Sequence, residues 1–279
     1  MDPEVYARAL LRRLAVSGPP DVRAIASELS IPVYEKPLER CDGMLVRVKG
    51  TAKGVIAIKA SISEETRKAF TIAHELGHLF LPGHDDYGIC STDVIESWAK
   101  NLRDREREAN AFAAELLMPE RVVAQLTGRL EPSLSTFELI AEVCRTSLTA
   151  SGYRFITMTS YAAALVWSQR GTVLWAKRSG EFRHWVRLQE DVDARTFAAD
   201  LFRGLKVQPG LHSVPAAAWL DLVDPDATLL EESRAMPSYD AVLTVLWARE
   251  PLSEPDGTDD ILAPLDPEEF TLRRSRWRR

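Results

Sequence analysis

Two histidines four residues apart, with a glutamate beside the first, form the most chemically suggestive stretch of this chain: His74-Glu75-Leu76-Gly77-His78, an H-E-x-x-H. On a helix, positions i and i+4 share a face, so His74 and His78 can aim their imidazoles at one point. Two neutral imidazoles at that spacing supply half the ligands of a tetrahedral zinc site, and Glu75 is placed to take a proton from a metal-bound water. The competing reading is a polar helix face with two solvated histidines. Against it, Ile72, Ala73, Leu76, Leu79 and Phe80 make the segment apolar nearly all round, which predicts burial. Buried histidines need partners. Gly77 costs about 1 kcal/mol relative to Ala inside a helix, which points to a packing or access requirement at that position.

A peptidase-type zinc site needs a third protein ligand. His84, Asp85 and Asp86 follow closely, but a ligand that near to His78 would have to fold back from beyond Pro82-Gly83, and His84 is set aside on that ground. A better source is the run from Asp104 to Met118, which reads as a helix ending at Pro119. Glu106 and Asn110 are an i, i+4 pair on a face with Ala113, Ala114 and Leu117, whose small residues let a second helix come close. Taken alone, Glu106 reads as an exposed charge in an Arg/Glu mixture. Beside an H-E-x-x-H lacking its third ligand, the metal reading is preferred. Asn110, one turn on, is suited to hold a ligand histidine by its other ring nitrogen. Glu108 lies about 160° from Asn110 around the helix and is expected to face solvent with the arginines.

The elements that must position these groups follow from periodicity and punctuation. Ser61 or Ser63 caps the motif helix, with Glu64 three residues after Ser61 as a capping box requires, and Pro82-Gly83 stops it. Upstream, Asp2-Pro3 opens a helix with Tyr6, Leu10, Leu11 and Leu14 on its apolar stripe, and Asp21 caps a second with Val22, Ile25, Ala26 and Leu29. Strands are expected at 31–34, 43–48 and 54–59, the last two joined by a turn at Lys49-Gly50, giving a small antiparallel sheet just before the motif. In zinc peptidases such a sheet often borders the cleft, where an edge strand can pair with an extended peptide.

Composition sets the bounds. The chain has 279 residues, 46% apolar and 27% charged, as an ordinary globular protein does, with room for one large domain or two small ones. No apolar run approaches the roughly 20 residues of a membrane span. The start, Met1-Asp2-Pro3-Glu4, carries neither a basic region nor a signal-peptide apolar core, so a cytoplasmic protein is expected. Cys41, Cys90 and Cys144 form no C-x-x-C and predict neither a disulfide framework nor a zinc ribbon. The net charge of −6 argues against direct nucleic-acid binding as the main role, although Arg273, Arg274, Arg276, Arg278 and Arg279 make a short basic tail.

Together the two motif segments resemble the ImmA/IrrE family of bacterial metallopeptidases. The matching text is Phe70-Thr-Ile-Ala-His-Glu-Leu-Gly-His78, followed by Glu106-Arg-Glu-Ala-Asn110-Ala-Phe-Ala-Ala-Glu-Leu-Leu-Met-Pro119, with similar text at Pro20-Asp21-Val22 and Asp42-Gly43-Met44. Lys68-Ala69 departs from the polar-Arg pair common before the Phe. The resemblance covers residues 1 to about 160. It implies a small gluzincin-like fold with His74, His78 and Glu106 as Zn2+ ligands, Glu75 as general base and Asn110 behind a ligand. It also implies a protein substrate, a helix-turn-helix repressor of the XRE type, in stress response, mobile-element or toxin–antitoxin regulation.

The remainder reads as helices and then strands. Helices are expected from Pro119 to Leu126, from Ser133 to Cys144 and, capped by Ser147, from Leu148 to Met158. The last two resemble a helix-turn-helix, but Leu148, Thr149 and Ala150 offer no base-contacting set, so they are read as packing helices. A hairpin at 162–176, a third strand at 182–188, a helix at 193–205 and a strand at 239–249 make a second unit, with 216–222 ambiguous. The expected class is therefore α+β. A metallopeptidase domain at 1–125 is followed by a helical segment at 126–160, a sensor or substrate-docking α+β domain at 161–250, and a mobile acidic, proline-rich segment with a basic tail at 251–279. The competing function is a non-catalytic, zinc-stabilised regulatory binding protein; the intact Glu75, for which a scaffold has no use, favours the enzyme.

Overall fold

The first helices begin where the sequence supplies a carboxylate cap. Asp2 Oδ1 accepts from Glu4 N at 3.0 Å at the head of α1 (Pro3–Arg13). Asp21 Oδ1 accepts from Arg23 N and Ala24 N at 2.9 and 3.2 Å at the head of α2 (Val22–Glu28). Each satisfies amides that a helix start leaves without intrahelical partners. The computed structural model describes residues 2–47, 53–84 and 100–252. The Lys49-Gly50 turn, Asp85 to Cys90 and the segment from 253 onward lie outside the described residues.

Strands β1 (Val33–Lys36), β2 (Gly43–Arg47) and β3 (Gly54–Lys59) form a sheet in the order β1-β3-β2. Met44 lies opposite Ala57 in the antiparallel β2–β3 pair, whereas Val33 lies opposite Ile56 in a parallel β1–β3 pair. The sheet is thus mixed rather than antiparallel throughout: the chain reverses twice between β1 and β3, so the two run the same way. Leu45, Ile56 and Ile58 turn inward.

Helix α3 (Glu65–Phe80) carries the H-E-x-x-H and starts later than its serines suggest. Ser61 is taken up in the turn out of β3, where Ile62 N donates to Lys59 O at 3.2 Å. Glu64 occupies the cap position with no side-chain cap bond, so the capping box does not form. The helix ends in extended backbone at Leu81, the conformation a following proline imposes. Helix α4 (Lys100–Leu117) crosses it at Gly77, where a β-carbon would lie 3.2 Å from both Cα and O of Ala109. This close approach is the packing requirement behind that glycine. Next come α5 (Glu120–Thr127), α6 (Leu134–Cys144) and α7 (Leu148–Met158). Ser133 and Ser147 cap α6 and α7 by accepting from Thr136 N and Ala150 N at 3.3 and 3.2 Å.

A second, antiparallel sheet in the order β5-β4-β8-β7-β6 completes the α+β architecture. Its strands are β4 (Ala163–Gln169), β5 (Thr172–Arg178), β6 (His212–Pro215), β7 (Thr228–Met236) and β8 (Ala241–Trp247), with α8 (Phe197–Phe202) between β5 and β6. Residues 182–188 are not a third strand; they make one isolated bridge, Val186 to Leu220. The helix expected over 193–205 shrinks to α8 because Thr196 caps it, accepting from Ala199 N at 3.1 Å. Residues 216–218 form a 3-10 turn. Strands β6 and β7 carry no clear strand signal.

Residues alternating along β4 and β8 enter two cores. Leu165, Leu243, Val245 and Trp247 join the core that runs through Ile72, Leu76, Phe112 and Phe137, while Val166, Val242 and Leu246 pack on the other face with Trp219 and Phe182. A β-carbon at Gly152 of α7 would meet Phe137 Cδ2 at 2.9 Å and Leu165 Cδ1 at 3.2 Å, so α7 packs closely between α6 and β4 at this glycine. Buried Arg154 ties the same region together, donating to Met118 O at 3.1 Å and pairing with Glu115 and Glu4.

Candidate metal centre

Helices α3 and α4 bring His74, His78 and Glu106 to one point, with a ligand atom from each lying within 4.8 Å of the others. The two Nε2 atoms are 3.0 Å apart. Glu106 Oε2 is 3.2 Å from His74 Nε2, and its Oε1 is 3.5 Å from His78 Nε2. Ligand atoms about 2.0–2.1 Å from one tetrahedral ion stand roughly 3.3 Å apart, so the spacing and the chemistry of this donor set both fit a divalent metal.

Each imidazole is held by its far nitrogen. His74 Nδ1 lies 2.9 Å from Asn110 Oδ1, the support expected from the i, i+4 placement of Asn110 after Glu106. His78 Nδ1 lies 2.8 Å from His84 Nδ1, and His84 Nε2 lies 3.0 Å from Glu108 Oε2. Glu108 is therefore turned toward buried His84 rather than only toward solvent with the arginines, because the chain does fold back after Pro82. Gly83 adopts φ +80°, a conformation glycine takes without steric cost, and delivers His84 beneath α3. His84 reaches the far side of His78, not the point where the ligand atoms meet.

The charges are mutually supporting. Burial would raise the Glu106 carboxyl, but hydrogen bonding to His74 and His78 and their charges hold it far below the usual carboxylate range. Burial works against protonation of His74, yet Glu106 and the charge of Glu75 outweigh it and hold the imidazole above its ordinary value. Burial dominates at His78 and holds it below.

Glu75, the residue beside the first histidine, is 1% exposed. It packs against Thr71 and the first residue of β2: a β-carbon at Gly43 would sit 2.5 Å from Glu75 Oε1. Gly43 is thus a site residue that the sequence pattern placed only as the start of a strand. His84 and Glu108 were visible as residue types, but nothing in their spacing joins them to His78. Cys41 and Cys144 are buried free thiols, raised in pKa mainly by burial, while Cys90 is outside the described residues.

Two histidines and a glutamate on crossed helices, with a second glutamate between the histidines in sequence, form a group that could hold a metal ion. Residues 26–155 match the family model described as the IrrE N-terminal-like domain, and that segment is similar to the ImmA/IrrE metallopeptidases. It is 31% identical over 107 residues to the radiation response metalloprotease IrrE of Deinococcus radiodurans, a match covering 38% of this chain and 31% of that protein. It is 29% identical over 107 residues to the metallopeptidase ImmA of Bacillus subtilis, covering 38% of this chain and 59% of that protein. The chain thus spans less than two thirds of the length of either curated relative. A Mycobacterium tuberculosis transcriptional regulator shares the fold, with a TM-score of 0.55 and 13% identity over 88% of this chain and 74% of that one. Among the described residues, no helix is long and apolar enough to cross a membrane.

Proposed function

We propose that this protein is a zinc-dependent endopeptidase acting on a protein substrate. The observation that carries the reading is the convergence of His74 Nε2, His78 Nε2 and a Glu106 oxygen at one point, with Glu75 on the same helix. Two imidazoles and one carboxylate suit zinc. When bound, zinc supplies Lewis acidity and lowers the pKa of water toward about 7. The remaining work falls to the chain's own residues. Asn110 holds His74 so that its Nε2 lone pair faces the site. Glu75 takes the proton from the attacking water at a carboxylate oxygen and later gives it to the leaving amine. Gly43 leaves room for the Glu75 carboxylate, and β2, an edge of its sheet, offers backbone groups to an extended segment of substrate.

We infer further that the substrate is a helix-turn-helix repressor of the XRE type met in the cytoplasm, with 1–125 as the peptidase domain and the sheet unit within 161–250 as a sensor or docking domain. Support for the repressor is the family resemblance. On this chain, an acidic net charge of −6 complements the basic surface of a DNA-binding substrate.

The test is metal content by elemental analysis, parent beside Glu106→Ala, followed by incubation with a candidate repressor. The parent is expected to hold one zinc per chain and to cleave; the mutant is expected to lose both. A parent offered zinc and manganese that retains neither overturns the peptidase reading. Zinc bound with no cleavage of any repressor supplied favours the regulatory binding protein instead.

A further inference from the structure

We propose that His84 and Glu108 are a positioning pair that fixes the tautomer of His78 and strengthens it as a zinc ligand. This inference rests on the reading of His74, His78 and Glu106 as the metal ligands.

One line of contacts carries too few hydrogens for more than one arrangement. His78 Nδ1 and His84 Nδ1 are 2.8 Å apart, so one hydrogen lies between them. His84 Nε2 is 3.0 Å from Glu108 Oε2. A carboxylate only accepts, so this nitrogen carries a hydrogen. A neutral imidazole has a single N–H; once it is committed to Glu108, His84 Nδ1 can only accept. The hydrogen between the two rings then belongs to His78 Nδ1, and His78 Nε2 is left as a lone pair. That nitrogen is the one 3.0 Å from His74 Nε2 and 3.5 Å from Glu106 Oε1. Reversing the line would put the His78 hydrogen on the ligand atom itself.

Burial makes the arrangement hard to undo. His78 is 0% and His84 1% exposed, and a buried ring nitrogen without a partner is costly. The contacts are built by two features that packing alone does not demand: Gly83 at φ +80° returns the chain after Pro82, and Glu108 is two residues from Glu106 on α4. The two histidines are therefore supported differently. His74 rests on a neutral amide, Asn110, while His78 rests on a chain ending in a carboxylate, the kind of outer partner that orients and firms a ligating imidazole.

The experiment uses the full chain labelled with 15N-histidine and loaded with zinc chloride, as parent, Glu108→Gln, His84→Gln and His84→Ala. In the parent, histidine NMR should show His84 protonated on Nε2 and free of hydrogen on Nδ1, with His78 protonated on Nδ1. Glu108→Gln should weaken zinc binding by roughly ten- to a hundredfold in a chelator competition. His84→Gln, whose amide oxygen can accept from His78 Nδ1, should retain more affinity than His84→Ala. Thermal unfolding of the metal-free forms should change little for Glu108→Gln, because Glu108 is part exposed. A hydrogen on His84 Nδ1, or parent-like zinc affinity in Glu108→Gln and His84→Ala, overturns the pair while leaving the ligand reading intact. Failure of the parent to take up zinc overturns both.

Discussion

Two carboxylates, half-buried Glu106 and buried Glu231, sit in opposite surroundings in the two halves of this molecule. In the second sheet, Glu231 is wholly buried and receives donors: Ala198 N and Ser233 Oγ reach Oε1 at 2.7 Å each, and Trp219 Nε1 reaches Oε2 at 2.9 Å. Donors meet acceptors, and the cluster is complete with protein atoms alone. Between α3 and α4, three atoms able to ligate a metal crowd one point instead: two Nε2 atoms and a carboxylate oxygen. Such a convergence is electrostatically sensible around a cation or a shared proton, and costly otherwise. Perturbed titration marks both clusters, with Glu106 held low and Glu231 pushed up by burial. A shifted pKa therefore does not by itself separate a candidate metal centre from an internal brace; the kind of atoms that converge does.

Glu75→Gln should have the largest effect, and only on the cluster between α3 and α4. It leaves His74, His78 and Glu106 in place and removes the proposed base, so peptide hydrolysis is expected to fall by on the order of 10²–10⁴ with metal content unchanged. Hydrolysis at the parent rate in a metal-loaded Glu75→Gln would end the proposed mechanism. Gly43→Ala comes next. Its β-carbon would lie 2.5 Å from both Glu75 Oε1 and Thr71 Cγ2, so the carboxylate must shift, and a displacement of that size costs up to roughly 10² in rate. Zinc content should again be unchanged, which distinguishes a displaced base from a damaged metal site. Trp219→Phe acts only on the other cluster. Glu231 loses one of its three donors, and stability should drop by about 1–3 kcal/mol in denaturant unfolding, with metal content and cleavage as in the parent.

The sequence made the converging cluster more legible than the complete one. His74, His78, Glu106 and Asn110 are spaced by the helical repeat, so their faces could be computed, and the small residues opposite Gly77 signalled a close helix crossing. His84, Glu108 and Gly43 depend on contacts between segments that no local period encodes. Glu108 in particular is turned by a partner that arrives only because Gly83 reverses the chain. In the second half, Thr228 to Met236 holds Glu231, Glu232 and Arg234, a composition that hides a strand. Glu231 is buried there only because Trp219 and the start of α8 supply donors from elsewhere. Residues 182–188 show the converse: Phe182 and Val186 alternate like a strand and are buried, yet only one bridge forms.

The smallest expected effect sharpens the contrast through pH. Burial holds the Glu231 carboxyl above its ordinary value despite three donors. Between the unfolded value of about 4.3 and this higher folded value, the folded chain binds more protons than the unfolded one. Its contribution to stability is therefore fully present below about pH 4.3 and is lost as pH rises through the folded value. Glu231→Gln removes that titration. Other carboxylates, Glu106 and Asp193 among them, are shifted downward and act in the opposite sense, so the informative quantity is the difference between parent and variant. Measured by thermal unfolding from pH 4 upward, the parent should lose ground relative to Glu231→Gln as pH rises, by less than the Trp219→Phe change. Parallel curves would mean that Glu231 is ionised in the fold and that its three donors, rather than burial, decide its charge.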